Sequence, residues 1–285
     1  MDFIISTENT CDLSAQYLNE NGIEVIKMSY LVGDEEFGAD TGKELTIKEF
    51  YDKMRKGART STALINEARA TEFFSSILSK GKDVLHISFA SACSGTYDNM
   101  KKSAETLNSE RANKIYVVAS KCESAGQGLL VKLGQKFALT HTVKETFDYA
   151  NDVKNRINLL FTVDDLKYLA RGGRISKASA SIGSLLNIKP VLSVDEDGKL
   201  TARTKVITRR VSINRLILKT KEKFTGEDEK IIIGHSDCRE DAESVRDRLT
   251  DISRDIEIED NGPVIGAHSG PGTLAIFFVG RDRKF

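Results

Sequence analysis

Short apolar runs alternate with amphipathic stretches through the first half of the chain. Residues 2–6, 23–28, 84–89 and 115–119 have the length and apolar content of strands. Between them, residues 46–56, 66–80, 96–107 and 124–139 carry apolar positions at helical spacing. Thr46 and Glu49 form a capping box at the start of one helix, and Cys11-Asp12-Leu13-Ser14 offers caps for another. This strand–helix rhythm predicts a parallel sheet covered by helices. A polar helix over 142–156 then joins a different pattern. Residue runs 188–194 and 199–206 flank Asp195-Glu196-Asp197-Gly198, a hairpin signal. Strands at 158–163, 230–234, 255–259 and 274–279 and helices at 164–170, 208–223 and 240–250 complete it. The second pattern predicts an antiparallel or mixed sheet with helices on one face.

With 285 residues, the chain exceeds the usual single-core size. The change of pattern places the division at 157/158, giving an N-terminal parallel α/β/α domain and a smaller C-terminal α+β domain. Lys and Arg number 42, as do Asp and Glu, and this zero net charge points away from generic nucleic-acid or membrane-surface binding. No apolar run reaches the roughly 20 residues of a membrane-spanning helix. Cys11, Cys93, Cys122 and Cys238 are far apart without a CxxC pair, which argues against a disulfide framework. With only four histidines, no metal cluster is expected. The N-terminus lacks the basic start of a signal peptide, and the expected compartment is the cytoplasm.

Chemistry gathers in a few polar segments. Gly262-Pro263-Val264-Ile265-Gly266-Ala267-His268-Ser269-Gly270-Pro271-Gly272 surrounds one histidine with four glycines and two prolines. That composition predicts a rigid loop presenting His268 beside a terminal strand. Arg59-Thr60-Ser61-Thr62, Ser91 to Tyr97, and Ser120 to Ser124 lie where strands should end and helices begin. Ligands bind outside the carboxyl ends of strands in open α/β sheets, and helix N-termini with hydroxyls favour a small anion. The same residues serve as ordinary helix caps. Ser94 with His268 would make a nucleophile–base pair, the alternative being an acyl-transfer or ester-hydrolysing enzyme. Ser94, however, is not within GxSxG, and neither a P-loop nor a strand-borne GxGxxG occurs.

Taken together, these segments resemble the DegV family of bacterial fatty-acid-binding proteins. The resemblance runs through Thr7 to Leu13, Thr60-Ser61, Ser91 to Tyr97, Ser120 to Gly128, Leu166 to Ser176, Ile188 to Leu192, and the Gly262–Gly272 stretch. It implies two domains with one long-chain fatty acid between them. It implies a non-catalytic carrier that needs no cofactor and presents the carboxylate to a separate fatty acid kinase for acyl-phosphate formation. Thr60, Ser61, Ser94, Gly95 and His268 would hold the carboxylate, while Arg171, Arg174 and Arg203 would dock the partner protein. Ile182, Leu185, Leu186, Ile188, Ile276, Phe277 and Phe278 are candidate tail contacts, although each is equally an ordinary core residue. Departures occur at Thr62-Ala63-Leu64, Cys93, Ala119 and Ile207.

Overall fold

The computed structural model describes residues 2–38, 41–175 and 188–285. Strands β1 (Phe3–Glu8), β2 (Glu24–Ile26), β6 (Asp83–Ser88) and β7 (Ile115–Ala119) form a sheet in the order β2-β1-β6-β7. All its pairings are parallel. Strands β3 (Ser29–Val32), β4 (Glu35–Gly38) and β5 (Thr60–Thr62) make a small antiparallel sheet. Sequence reading took 59–62 as a loop and passed over the hairpin; Gly33-Asp34 is its two-residue turn, with Gly33 at φ 65°.

The third sheet contains β8 (Ile157–Thr162), β9 (Lys189–Val194), β10 (Leu200–Val206), β11 (Lys230–His235), β12 (Asp255–Asp260) and β13 (Leu274–Val279). Its order is β10-β9-β8-β13-β11-β12, antiparallel except for the parallel β11/β12 edge. The fold is therefore α/β, with a parallel sheet first and a mixed sheet second. Every strand of the mixed sheet starts at or after Ile157, and the division at 157/158 remains a proposal.

Ten described helices cover these sheets: α1 (Ala15–Glu20), α2 (Ile47–Arg55), α3 (Glu67–Leu78), α4 (Thr96–Glu110), α5 (Ala125–Phe137), α6 (Val143–Val153), α7 (Lys167–Arg171), α8 (Arg209–Lys223), α9 (Arg239–Asp247) and α10 (Pro263–Ser269). The capping box of Thr46 and Glu49 closes the N-terminus of α2. The Gly-Pro stretch differs from its expected form. It is not a loop but a two-turn helix, α10, with Pro263 at its first turn and Gly270 as its C-cap. Pro is tolerated in a first turn because its missing N–H has no intrahelical acceptor there.

Helix α5 lies between the two large sheets. It packs on β1 and β6 on one side and on β8, β11 and β13 on the other. One apolar cluster therefore runs from Phe3, Ile5, Leu85 and Ile87 through Leu129, Leu130 and Leu133 to Leu159, Phe161 and Phe277. The mixed sheet carries helices on both faces, not one, because α5 from the first half fills the second. The opposite face, with Leu160, Val191, Ile233, Ile276 and Phe278, packs under α8 and α9.

Close approach of α5 to its neighbours depends on glycine. A Cβ on Gly128 would lie 2.5 Å from the carbonyl oxygen of Cys11 and 2.8 Å from Leu13 Cδ2. One on Gly134 would meet only Ile87 Cδ1, at 3.3 Å, a flexible side-chain end. Gly128→Ala should therefore lower stability by roughly 1–3 kcal/mol, since a backbone carbonyl must move. Gly134→Ala should be neutral or stabilising by up to about 1 kcal/mol through helix propensity. Urea titrations compare the two variants; equal losses would show that backbone contact on α5 is not limiting.

Candidate functional site

A cavity of about 930 Å³, including the part that opens to solvent, lies at the N-terminal end of α5. Its body is apolar. Leu159 and Phe161 of β8 stand beside Phe277 and Ala275 of β13, with which they pair. Phe89, Leu169, Leu200, Val264 and Met28 complete these walls. Strand alternation separates wall from core here: Phe277 lines the cavity, whereas Ile276 and Phe278 point under α8 and α9. Ile188 is half-buried and is not among the lining residues. Ile182, Leu185 and Leu186 lie outside the described residues.

The other end of the cavity is polar. Ser94 and Gly95 sit on the turn between β6 and α4, with Gly95 exposed at the mouth. Ser94 Oγ donates to Thr96 Oγ1 (3.0 Å) and accepts from Thr96 N–H (3.2 Å). His268, in the last turn of α10, holds its Nε2 2.8 Å from Thr62 Oγ1. Its Nδ1 has no hydrogen-bond partner among the described residues. Gly172 packs against that nitrogen so closely that a Cβ there would collide with it. Burial pulls the His268 pKa down to about 4, and the nearby Arg174 and Arg171 charges act in the same direction. The imidazole is therefore neutral near pH 7.

Not every expected contact lies in this wall. In β5, Thr60 and Thr62 face α10 together, and Ser61 faces solvent, as a two-residue repeat requires. Thr60 Oγ1 donates to the carbonyl of Ala267 and so fixes α10 (3.1 Å). Of this segment, only Thr62 lines the cavity. Recognising 60–62 as a strand would have separated these roles.

The three arginines also divide. Arg171 is exposed on the last turn of α7, over the Tyr168 ring at 5.3 Å. Arg174 lines the cavity, and its guanidinium donates to the carbonyls of Cys93 (3.2 Å) and Gly172. Arg203 donates to Ser193 Oγ (2.8 Å) on the far face of the mixed sheet. The three do not form one basic group.

Sequence reading also missed a buried polar cluster beneath the cavity. Asp12 Oδ1 accepts from the N–H of Gly262, the N-cap of α10 (3.0 Å). Ser124 Oγ is 2.6 Å from Asp12 Oδ2 and 3.0 Å from Asn261 Oδ1. A single hydroxyl proton cannot fully serve two acceptors. A protonated Asp12 resolves this by donating to Ser124, which then donates to Asn261. Burial indeed pushes the Asp12 pKa up to about 7, against the lowering effect of its hydrogen bonds with Ser124 and Gly262. The only sequence signal was an acidic residue beside Cys11, which reads equally as a cap.

The arrangement holds a ligand more readily than it attacks one. Ser94 and His268 are hydrogen-bonded to different threonines, and no hydrogen bond joins them. No group of three or more possible metal ligands occurs among the described residues. No described helix is long and apolar enough to cross a membrane.

Comparison with known proteins agrees with this architecture. The model of the family described as "Uncharacterised protein, DegV family" matches residues 2–281. A DegV domain-containing protein of Clostridium perfringens is 35% identical, covering 99% of each chain. One from Lactococcus lactis is 33% identical over the full length of both. A fatty-acid-binding DegV family protein of Streptococcus agalactiae superposes with a TM-score of 0.84 at 28% identity, over 99% of this chain and 100% of that one. The chain belongs to the DegV family.

The Asp12 proton has a measurable consequence. Asp12 releases its proton near 3.8 when unfolded but near 7 when folded, so folding takes up a proton between these limits. Stability from this group is full at low pH and is lost as pH rises through about 7. Asp12→Asn, neutral throughout, should make the fall in urea midpoint between about pH 5 and about pH 8 smaller than in the parent. An unchanged pH profile would mean that Asp12 is ionised in the folded protein.

Proposed function

We propose that this DegV family chain binds one long-chain fatty acid in the cavity and presents its carboxylate to a separate fatty acid kinase. The observation that carries the reading is an apolar cavity whose polar end gathers Thr62, Ser94, Gly95, Arg174 and His268. The tail would lie along Leu159, Phe161, Leu200 and Phe277. The carboxylate would meet Ser94, the Gly95 backbone, Thr62, Arg174 and His268. Thr62 here takes the part expected of Thr60 and Ser61, since Thr60 is bonded to Ala267 and Ser61 faces solvent. The fatty acid bound by the 28%-identical Streptococcus agalactiae relative supports the ligand class.

Energetics favour such a ligand. Each buried CH₂ contributes about 0.8 kcal/mol, so a tail of about fourteen carbons supplies on the order of 10 kcal/mol before ordering costs. The head group then needs only to be oriented and kept hydrogen-bonded. His268 enters neutral, with its Nε2 held by Thr62 at the head-group end. In this reading the protein is a carrier rather than an enzyme, and its working place is the cytoplasm. The kinase would transfer phosphate to the carboxylate at the mouth, where Arg171 offers an exposed charge for docking. Arg174 belongs to the head-group end, and Arg203 stands apart from both.

Native mass spectrometry of protein purified from cells should find one fatty acid per chain. Chain that arrives empty and cleaves activated esters would overturn the carrier reading. Ser94→Ala and Thr62→Ala should each weaken fatty-acid binding by roughly 1.5–3 kcal/mol, about tenfold to a hundredfold, in a fluorescent displacement assay. Parent-like affinity in both variants would remove the head group from this end of the cavity. Arg171→Glu should abolish acyl-phosphate formation by the cognate kinase while the bound-lipid fraction stays at the parent level. Normal phosphorylation by that variant would return Arg171 to the solvated surface.

A further inference from the structure

Glu123 is an ionisable wall residue to which neither the head-group end nor the apolar lining assigns a role. Its side chain is only 7% exposed, and the residue lines the cavity. Oε1 accepts from Cys93 Sγ at 3.1 Å. Oε2 has no hydrogen-bond partner among the described residues. The turn that carries Glu123 is held in place. Lys121 and Ser124 both have positive φ, 56° and 54°. Arg283 donates to the Lys121 carbonyl (2.7 Å) and to Cys122 Sγ (3.0 Å) from beneath. The backbone of the turn is thereby fixed, with the Glu123 side chain buried in the wall.

A buried acceptor without a donor is destabilising, and native folds rarely tolerate one unless something fills the need. A plain alkyl tail offers no donor. We infer that the cavity is shaped for an acyl chain carrying a hydroxyl group, which donates to Oε2 of Glu123. This inference rests on the fatty-acid reading above. The order of contacts sets the location. Arg174 bonds the Cys93 carbonyl, and Cys93 Sγ bonds Glu123, so Glu123 stands beside the head-group end. The hydroxyl consequently belongs to a chain carbon near the carboxyl group. Burial also holds the Glu123 carboxyl near 7, so close to neutrality it both accepts from and donates to a hydroxyl.

The test uses delipidated full-length protein and displacement of a fluorescent fatty acid. The competitors are stearic acid and a series of monohydroxy stearic acids with the hydroxyl moved along the chain. At least one positional isomer should bind about tenfold more tightly than stearic acid. That advantage should disappear in Glu123→Leu and survive in the isosteric Glu123→Gln. If no isomer surpasses stearic acid in the parent, a trapped water satisfies Oε2 and the inference is wrong. An advantage that persists in Glu123→Leu overturns it equally. If neither stearic acid nor any hydroxy acid displaces the probe, the fatty-acid reading itself has failed, and this inference falls with it.

Discussion

The burial of α5 between two sheets is the constraint on which the rest of the molecule depends. Every residue from Ala125 to Gln135 is buried. A helix in that position has no solvent-facing stripe, so its polar groups must find partners inside. Gln127 does so: its amide nitrogen shares two N–H groups among Glu8 Oε2, Thr7 Oγ1 and the Ile87 carbonyl, and its oxygen accepts from Thr10. Glu8 is in turn bonded by Ser88, the Phe89 amide and His86. The parallel sheet and the central helix are thus tied by hydrogen bonds as well as by packing. Moving α5 would leave several buried polar groups unpaired at once, each a cost of order 1–3 kcal/mol.

The cavity follows from this arrangement. Helix α5 fills the space between the sheets only along its own length. Beyond its N-terminus the sheets still face each other, and the turn 120–124 closes one side of the gap. Asp12, Ser124, Asn261 and the N-cap of α10 meet there. The same cluster fixes α10, and through it the imidazole of His268. A site more than two hundred residues apart in sequence is thereby positioned by one buried turn.

Most of this fold was legible in the pattern of apolar positions. The parallel strands, the Asp195–Gly198 hairpin, the cap at Thr46 and the helix starts near Asn66 and Thr142 follow local rules that the structure obeys. What escaped was short or ambiguous. The strand Thr60–Thr62 has three polar residues and no apolar face of its own. Helix α10 is seven residues long and rich in residues that usually signal loops. The face of each β13 residue was readable only once its register against β8 was known, because a run buried on both sides shows no alternation. Ser94, Gly95 and His268 stood out because Gly and small hydroxyl residues at strand–helix turns leave a sequence signal. Thr62 and Glu123 lay inside marked polar segments and Arg174 in a basic turn, but no sequence signal set these side chains in the cavity wall. Their significance depends on which way a turn or strand faces.

The charge pattern of the wall gives the cavity a direction. Its described lining contains four groups able to ionise: Arg174, Glu123, His268 and the Cys93 thiol, which burial holds in its neutral form. Burial disfavours the charged form of Glu123 and His268, in opposite senses, holding one carboxyl near 7 and one imidazole near 4. Arg174 contributes the guanidinium of the wall. Cys93 is bonded to both Arg174 and Glu123, its carbonyl accepting from Arg174 and its thiol donating to Glu123. An amphipathic anion entering such a cavity meets a cation, neutral donors and a partly neutralised acid at one polar end. Apolar area supplies affinity in either orientation, so area alone cannot choose between them. In the proposed reading the fixed guanidinium makes that choice. Buried groups that disfavour their charged forms thus leave orientation to Arg174.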